Sequence, residues 1–200
     1  MKLLSTVSTL ALVCLAVVQA NVSVQFEKGK GALDGFINFG EMMIADRAAV
    51  SGDGEVNGIT PETTYTYGIY NGGSQPPHRR AVAASDPTRR SPGQSLTRRA
   101  FAEGDCPITD MFDPEGRLNP ADGATYQCTN KSYQDVCAAG DLSSKFPWLV
   151  GPFKATKYYI TLQDITLSLQ DGASNNVVGK YFVIKANNDI VACGQIQNKN

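Results

Sequence analysis

The sequence predicts an all-β domain built as a sandwich or a barrel. Three observations predict it. Short runs alternate apolar and polar residues with the period of two that a half-buried strand requires. Gly, Asn and Pro punctuate these runs as turn residues do. No long stretch spaces its apolar residues for a helix.

The first strand is expected where Val22, Val24 and Phe26 alternate with polar residues. Gly35-Phe36-Ile37-Asn38-Phe39 is a second short run. Val50 to Ile59 and Thr64 to Tyr70 follow, divided by Thr60-Pro61-Glu62. Tyr158 to Leu162 leads on to another strand-like run, Ile165 to Leu169. Val177 to Lys185 and Ile190 to Ile196 flank Asn187-Asn188-Asp189, which reads as a hairpin turn.

One segment breaks the pattern. Gly72 to Arg99 is rich in Gly, Pro, Ser and Ala and has no apolar periodicity. An exposed basic insertion is expected at about residues 72–104. It holds three Arg-Arg pairs, ending at Arg80, Arg90 and Arg99. Three readings stay open: a flexible loop, a substrate for a dibasic-cutting protease, and a basic patch for an anionic polymer or lipid.

The chain has 200 residues, enough for one domain with a real core. Hydrophobic residues make up 42% and charged residues 18%, which excludes a disordered chain and a multi-span membrane protein. The net charge of -1 gives no bulk basicity, and no nucleic-acid partner is expected. The single histidine, His78, is the sharpest constraint. One imidazole builds neither a three-histidine zinc centre nor a two-histidine iron triad.

Residues 1–20 read as a secretory signal peptide: Met1-Lys2, an apolar run from Leu3 to Val18, and a small-residue site ending at Ala20. The domain is then residues 21–200, with no membrane span after cleavage and a polar C-terminus that suits no lipid-anchor signal. Cys14 leaves with the signal. Cys106, Cys128, Cys137 and Cys193 remain, an even count that reads as two disulfides in a secreted chain. Asn21 and Asn130 open the two glycosylation sequons.

The order of segments resembles a Cu/Zn superoxide dismutase domain, nearest its secreted fungal and microbial copper-only branch. Val50-Ser51-Gly52 through Gly58-Ile59-Thr60-Pro61 is similar to the strand and turn before the copper-binding strand. Tyr65 to Tyr70 stands where that family has H-G-F-H-x-H, and Gly116-Arg117-Leu118-Asn119-Pro120 where it has G-H-L-N-P. Cys128 to Cys137 followed by Ala139-Gly140-Asp141-Leu142-Ser143 is similar to C-D-P…C-Q-V-G-D-L-S. Asp164 to Leu169, Val177 to Lys185 and Ala192-Cys193-Gly194 resemble the family's D-x-x-I-S-L, I-I-G-R-x-x-V-V-H and A-C-G.

The resemblance implies a Greek-key barrel and the pairs Cys106–Cys193 and Cys128–Cys137. It also implies that the metal chemistry is lost. Tyr65, Gly68, Tyr70, Arg117 and Lys185 occupy positions of histidine ligands, and only the aspartate ligand has a match, Asp141. Ile190 replaces the arginine that attracts the anionic substrate, and the long charged loop before it is reduced to a turn, as in the copper-only branch. Gly has no donor, and Lys or Arg repels a cation. A salt bridge from Lys185 or Arg117 to Asp141 is expected in place of metal ligation.

Other clusters carry blander readings. His78 is expected to be solvated beside arginines, with a displaced copper ligand as the alternative. Asp105, Asp110, Asp113 and Glu115 read as a solvated acidic loop without calcium-loop spacing. Tyr65, Tyr67 and Tyr70 are expected to pack a strand, and Trp148 with Phe146, Pro147 and Leu149 to join the core. The expected function is a secreted, metal-free scaffold with no cofactor and no catalytic residue, binding an unknown extracellular, cell-wall or host partner. The family forms dimers, though no apolar patch here identifies a homodimer. The alternatives are a divergent copper-dependent dismutase acting on extracellular superoxide and a precursor processed at dibasic sites.

Overall fold

Among the residues described by a computed structural model, alternating burial along each run resolves into ten strands: β1 Val22–Phe26, β2 Asp34–Ile44, β3 Arg47–Asn57, β4 Thr64–Gly72, β5 Ile108–Met111, β6 Leu149–Val150, β7 Lys157–Asp164, β8 Tyr181–Ala186, β9 Asp189–Gln195 and β10 Gln197–Asn198. The structure describes residues 22–26, 33–73, 106–120, 124–128, 136–147, 149–150 and 156–199. The expected leader 1–20, Asn21, His78, Arg80, Arg90, Arg99, Asp105, Asn130 and Trp148 lie outside the described residues, and so does the expected insertion beyond Gly73.

One sheet runs β10-β1-β2-β3-β7 and the other β5-β4-β8-β9, with β6 also on β4. The named pairs are antiparallel. The chain leaves the first sheet after β3, builds β4 to β6 in the second, and returns to lay β7 against β3. That return past three strands is the Greek-key connection. Between the sheets, Val24, Ile37, Phe39, Val56, Ile160 and Leu162 meet Tyr65, Tyr67, Ile69, Phe182, Ile184 and Ala192. Phe182 has the rings of Phe26, Phe39 and Tyr67 around it, with centroids at 5.9, 6.3 and 5.8 Å. The sheets approach closely between β9 and β1, where a Cβ on Gly194 would meet the Gln25 carbonyl oxygen at 2.4 Å.

The β8–β9 hairpin turns on Asn187 and Asn188 at φ 50° and 70°, as the sequence leads one to expect. The sequence does not mark the β2–β3 hairpin as a turn. It turns on Ala45 and Asp46 at φ 46° and 65°, and only Asp is a common left-handed residue. The second strand is therefore eleven residues long, reaching well beyond Phe39.

Two expected strands need correction. Ile165 to Leu169 is not a strand: β7 stops at Asp164, and only an isolated bridge joins Ser168 to Asn176. The reason is local. The Asp164 carboxylate accepts from Thr166 N at 2.7 Å and from Thr166 Oγ1 at 2.6 Å, which turns the chain. Val177 to Lys180 is likewise a turn, with Gly179 at φ 86°, so β8 begins only at Tyr181.

Both disulfides form as the resemblance implied, Cys106–Cys193 and Cys128–Cys137. The first ties the entry to β5, at one edge of the second sheet, to β9 at the other. The second anchors the segment that leads to Asp141.

Candidate functional site: a cleft on the outer face of the second sheet

Strand parity sorts β4 into two faces. Tyr65, Tyr67 and Ile69 enter the core, while Thr66, Gly68 and Tyr70 face outward. On β8 beside it, Thr66 pairs with Lys185, Gly68 with Val183 and Tyr70 with Tyr181. The outward face therefore brings Gly68, Tyr70 and Lys185 together.

The other edge of β4 is paired by β6 at Thr64 and Tyr65 and by β5 at Tyr70 and Gly72. A loop segment closes the gap between them. Ile69 N donates to Gly140 O at 2.9 Å, Gly140 N to Phe112 O at 2.7 Å, and Phe112 N to Ile69 O at 2.9 Å. Ser143 Oγ donates to Tyr67 O at 2.8 Å and accepts from Tyr67 N. The backbone groups of β4 are thus satisfied without a continuous partner strand.

This docking needs glycine on both sides. A Cβ on Gly140 would meet Ile69 O at 2.3 Å, and one on Gly68 would meet Gly140 O at 2.7 Å. Both obstacles are backbone, which cannot swing aside as a side chain can.

A cleft of 170 Å³ opens on this face, lined by Thr66, Tyr70, Met111, Asp141, Ser144 and Lys185 among others. Lys185 Nζ donates to the Tyr70 phenol oxygen at 2.9 Å and stands 4.5 Å from the centre of its ring. Asp141 caps the helical turn Leu142–Lys145, its Oδ1 accepting from Ser144 N at 3.2 Å. Its Oδ2 accepts from the Tyr126 hydroxyl at 2.8 Å, and that same oxygen of Tyr126 accepts from Ala138 N at 3.1 Å. Burial, and to a lesser degree the Asp141 carboxylate, pushes the Tyr126 phenol well above its ordinary range.

Behind the cleft lies an ion pair with both side chains at 0% exposure, Lys145 Nζ to Asp164 Oδ2 at 2.8 Å. Lys145 Nζ also donates to Ala139 O at 2.9 Å and to Thr166 Oγ1 at 2.7 Å, so its three N–H groups each have an acceptor. Burial pulls the Lys145 ammonium below the usual lysine range, against the opposing pull of Asp164.

The structure brings together four of the six residues at the implied ligand positions and corrects the account of the others. Gly68, Tyr70, Asp141 and Lys185 border the cleft. Tyr65 does not: it is 1% exposed on the opposite face of β4, with its hydroxyl oxygen accepting from Thr60 N at 2.8 Å. A residue at that parity cannot join Tyr70 in one site. Arg117 pairs with Glu115 and donates to Cys137 O at 3.1 Å. The expected salt bridge from Lys185 or Arg117 to Asp141 is therefore not made. Lys185 has a phenol within reach, Arg117 a nearer carboxylate, and both Asp141 oxygens are taken by hydrogen-bond donors. Ile190 sits half-buried on β9, paired with Lys185 in the strand register.

Tyr126, Ser143 and Lys145 are the residues the sequence reading missed. Their partners lie 15, 76 and 19 residues away, beyond any local pattern. Asp113 turns inward locally, with Oδ2 accepting from Leu118 N at 2.7 Å.

These groups do not fit copper or zinc. Gly68 offers no donor atom, an ammonium has no lone pair to give, and the Tyr70 oxygen already receives one of its N–H groups. Among the described residues no three His, Cys, Asp or Glu side chains converge as metal ligands would.

No protein-family model matches the sequence, and no curated protein does. Solved structures do match. Candida albicans superoxide dismutase 5, in a point-mutant form, is 19% identical with a TM-score of 0.56, over 90% of this chain and 91% of that one. Its Cu(II) form gives 19% and 0.55, over 90% and 92%. A superoxide dismutase-like protein from Bacillus subtilis, also a point mutant, is 19% identical with a TM-score of 0.49, over 88% and 97%. The Candida likeness establishes the architecture alone: this chain has the Greek-key β-barrel fold of the superoxide dismutases.

Proposed function

We propose that the chain is a secreted superoxide dismutase-like protein that holds no redox metal, performs no dismutation, and serves as an extracellular binding or structural module. One observation carries this reading: the Lys185 ammonium lies on the Tyr70 phenol oxygen at 2.9 Å, at the two positions where the resemblance expects copper-binding imidazoles. A fixed cation held by a phenol takes the room and the charge that a metal ion would need. The commitment of Asp141 to Tyr126 and to the helical turn supports it from the other side of the cleft. The leader pattern of residues 1–20 and the two disulfides support an oxidising, extracellular setting.

The test is metal content of the oxidised protein after incubation with copper and with zinc, with superoxide consumption followed on the same sample. Metal near background and no consumption above buffer is the expected result. About one copper per chain together with activity would overturn the reading. It would also favour the divergent copper-dependent dismutase, with His78 the first ligand to mutate.

A further inference from the structure

The first sheet turns its outer face to solvent, on the side of the molecule away from the cleft. Two large aromatic rings stand on it, Phe36 at 41% exposure and Tyr159 at 68%. They are in one line. Phe36 pairs with Glu55 across β2 and β3, and Glu55 with Tyr159 across β3 and β7. The two aromatic positions are therefore two strand spacings apart, about 10 Å. Gln25, paired with Phe36, extends the same line onto β1.

Polar rows flank this aromatic row at the next outward register on each side. Ser23, Asn38, Asp53 and Thr161 form one row, and Asp34, Asn57 and Lys157 the other. Lys199 Nζ joins the first row by donating to Asn38 Oδ1 at 2.6 Å. The face is thus an aromatic line between two lines of hydrogen-bonding side chains.

The geometry points to a binding platform for an extended, neutral β-linked polysaccharide, laid across the strands along Gln25, Phe36, Glu55 and Tyr159. A β-linked pyranose ribbon is apolar on its C–H faces and edged with hydroxyls. Rings about a disaccharide apart can stack on two sugars of one chain, and the flanking amide, carboxylate and hydroxyl groups meet the hydroxyl edges.

Charge and area select this occupant over others. Glu55 and Lys157 neutralise each other at 2.8 Å. Across these three rows three carboxylates (Asp34, Asp53, Glu55) meet two ammonium groups (Lys157, Lys199), so the strip attracts neither a polyanion nor an anionic membrane. The aromatic line and its two flanking rows cover roughly 200 Å² in plan, a narrow strip of a face that continues through Gly40, Ser51 and Gln163. A narrow ligand suits that strip better than a second copy of the chain. The platform goes beyond the metal-free reading and stands or falls apart from it, because the two sites lie on different sheets.

The test is retention of the oxidised protein on insoluble cellulose and chitin, with calorimetric titration of the corresponding soluble hexasaccharides. Retention on at least one is expected. Tyr159→Ala should weaken binding about tenfold and Phe36→Ala/Tyr159→Ala should abolish it, while Lys185→Ala, in the cleft, leaves it unchanged. Thermal midpoints near that of the parent show that these exposed substitutions leave the fold intact. No retention on either polysaccharide, or retention the double variant does not change, overturns the proposal. So does retention only on charged polysaccharides or anionic vesicles, or a dimer in sedimentation that Tyr159→Ala splits.

Discussion

Lys145 shows what one residue decides in this fold. Its ammonium is fully enclosed and holds Asp164, Thr166 and the Ala139 carbonyl at once. It thereby ties the segment that closes the gap on β4 to the end of β7. Removing one member of such a pair leaves the other charge buried and alone. Lys145→Met is expected to cost about 3–5 kcal/mol in denaturant unfolding. Adding Asp164→Leu should recover a good part of that loss, because two apolar residues leave no orphaned charge. A double variant no more stable than the single one would show that the pair acts through something other than charge compensation. The sequence marks Asp164 only as part of a strand-like motif, and nothing local marks Lys145 as its partner.

At the scale of elements, the segment from Ala138 to Pro147 behaves as a strand substitute for β4. Tyr67 and Tyr126 fasten it, Tyr67 through its hydroxyl to Pro147 O at 3.1 Å and Tyr126 through Asp141. Burial raises both phenols above their ordinary value of 10.0. The native state then keeps protons that the unfolded chain releases, so stability is fully present below about pH 10 and falls as pH rises above it. Unfolding midpoints measured between pH 8 and 11 should decline at the alkaline end, and Tyr126→Phe should make that decline shallower. An unchanged slope in the variant would remove Tyr126 from the account. The alternation of β4 was legible in the sequence because strand burial has a period of two residues. The identity of its edge partner was not, since Gly140 and Ser143 carry no strand pattern and meet β4 through a docked loop backbone and the Ser143 hydroxyl. The same limit explains Ile165 to Leu169, whose apolar spacing reads as a strand while the Asp164 carboxylate bends it into a turn.

For the whole molecule, the two disulfides differ in reach. Cys106–Cys193 spans 87 residues and Cys128–Cys137 spans 9. Loop-closure entropy assigns the first about 4–5 kcal/mol and the second about 2–3 kcal/mol. Replacing both cysteines of the long bridge by alanine should therefore lower the denaturation midpoint more than the same change in the short one. The reverse order would mean that strain or local docking outweighs chain entropy. Both cysteines of each bridge lie after Arg99, so a cut in the basic segment would leave β1 to β4 joined to the rest only by strand pairing and the shared core.

Composition and order alone determined that this chain is all-β, which runs alternate, that four cysteines pair, and that one histidine cannot supply a centre of several imidazoles. Those properties are local or countable, so a linear reading reaches them. Tertiary structure decided what stands around the implied ligand positions. It set Lys185 on Tyr70, gave Asp141 to Tyr126, turned Tyr65 into the core, and aligned Phe36 with Tyr159 across three strands. Each of these joins residues distant in sequence through strand register and sheet face. A shift of one residue in register reverses every side chain's face, so only the assembled sheets could place them.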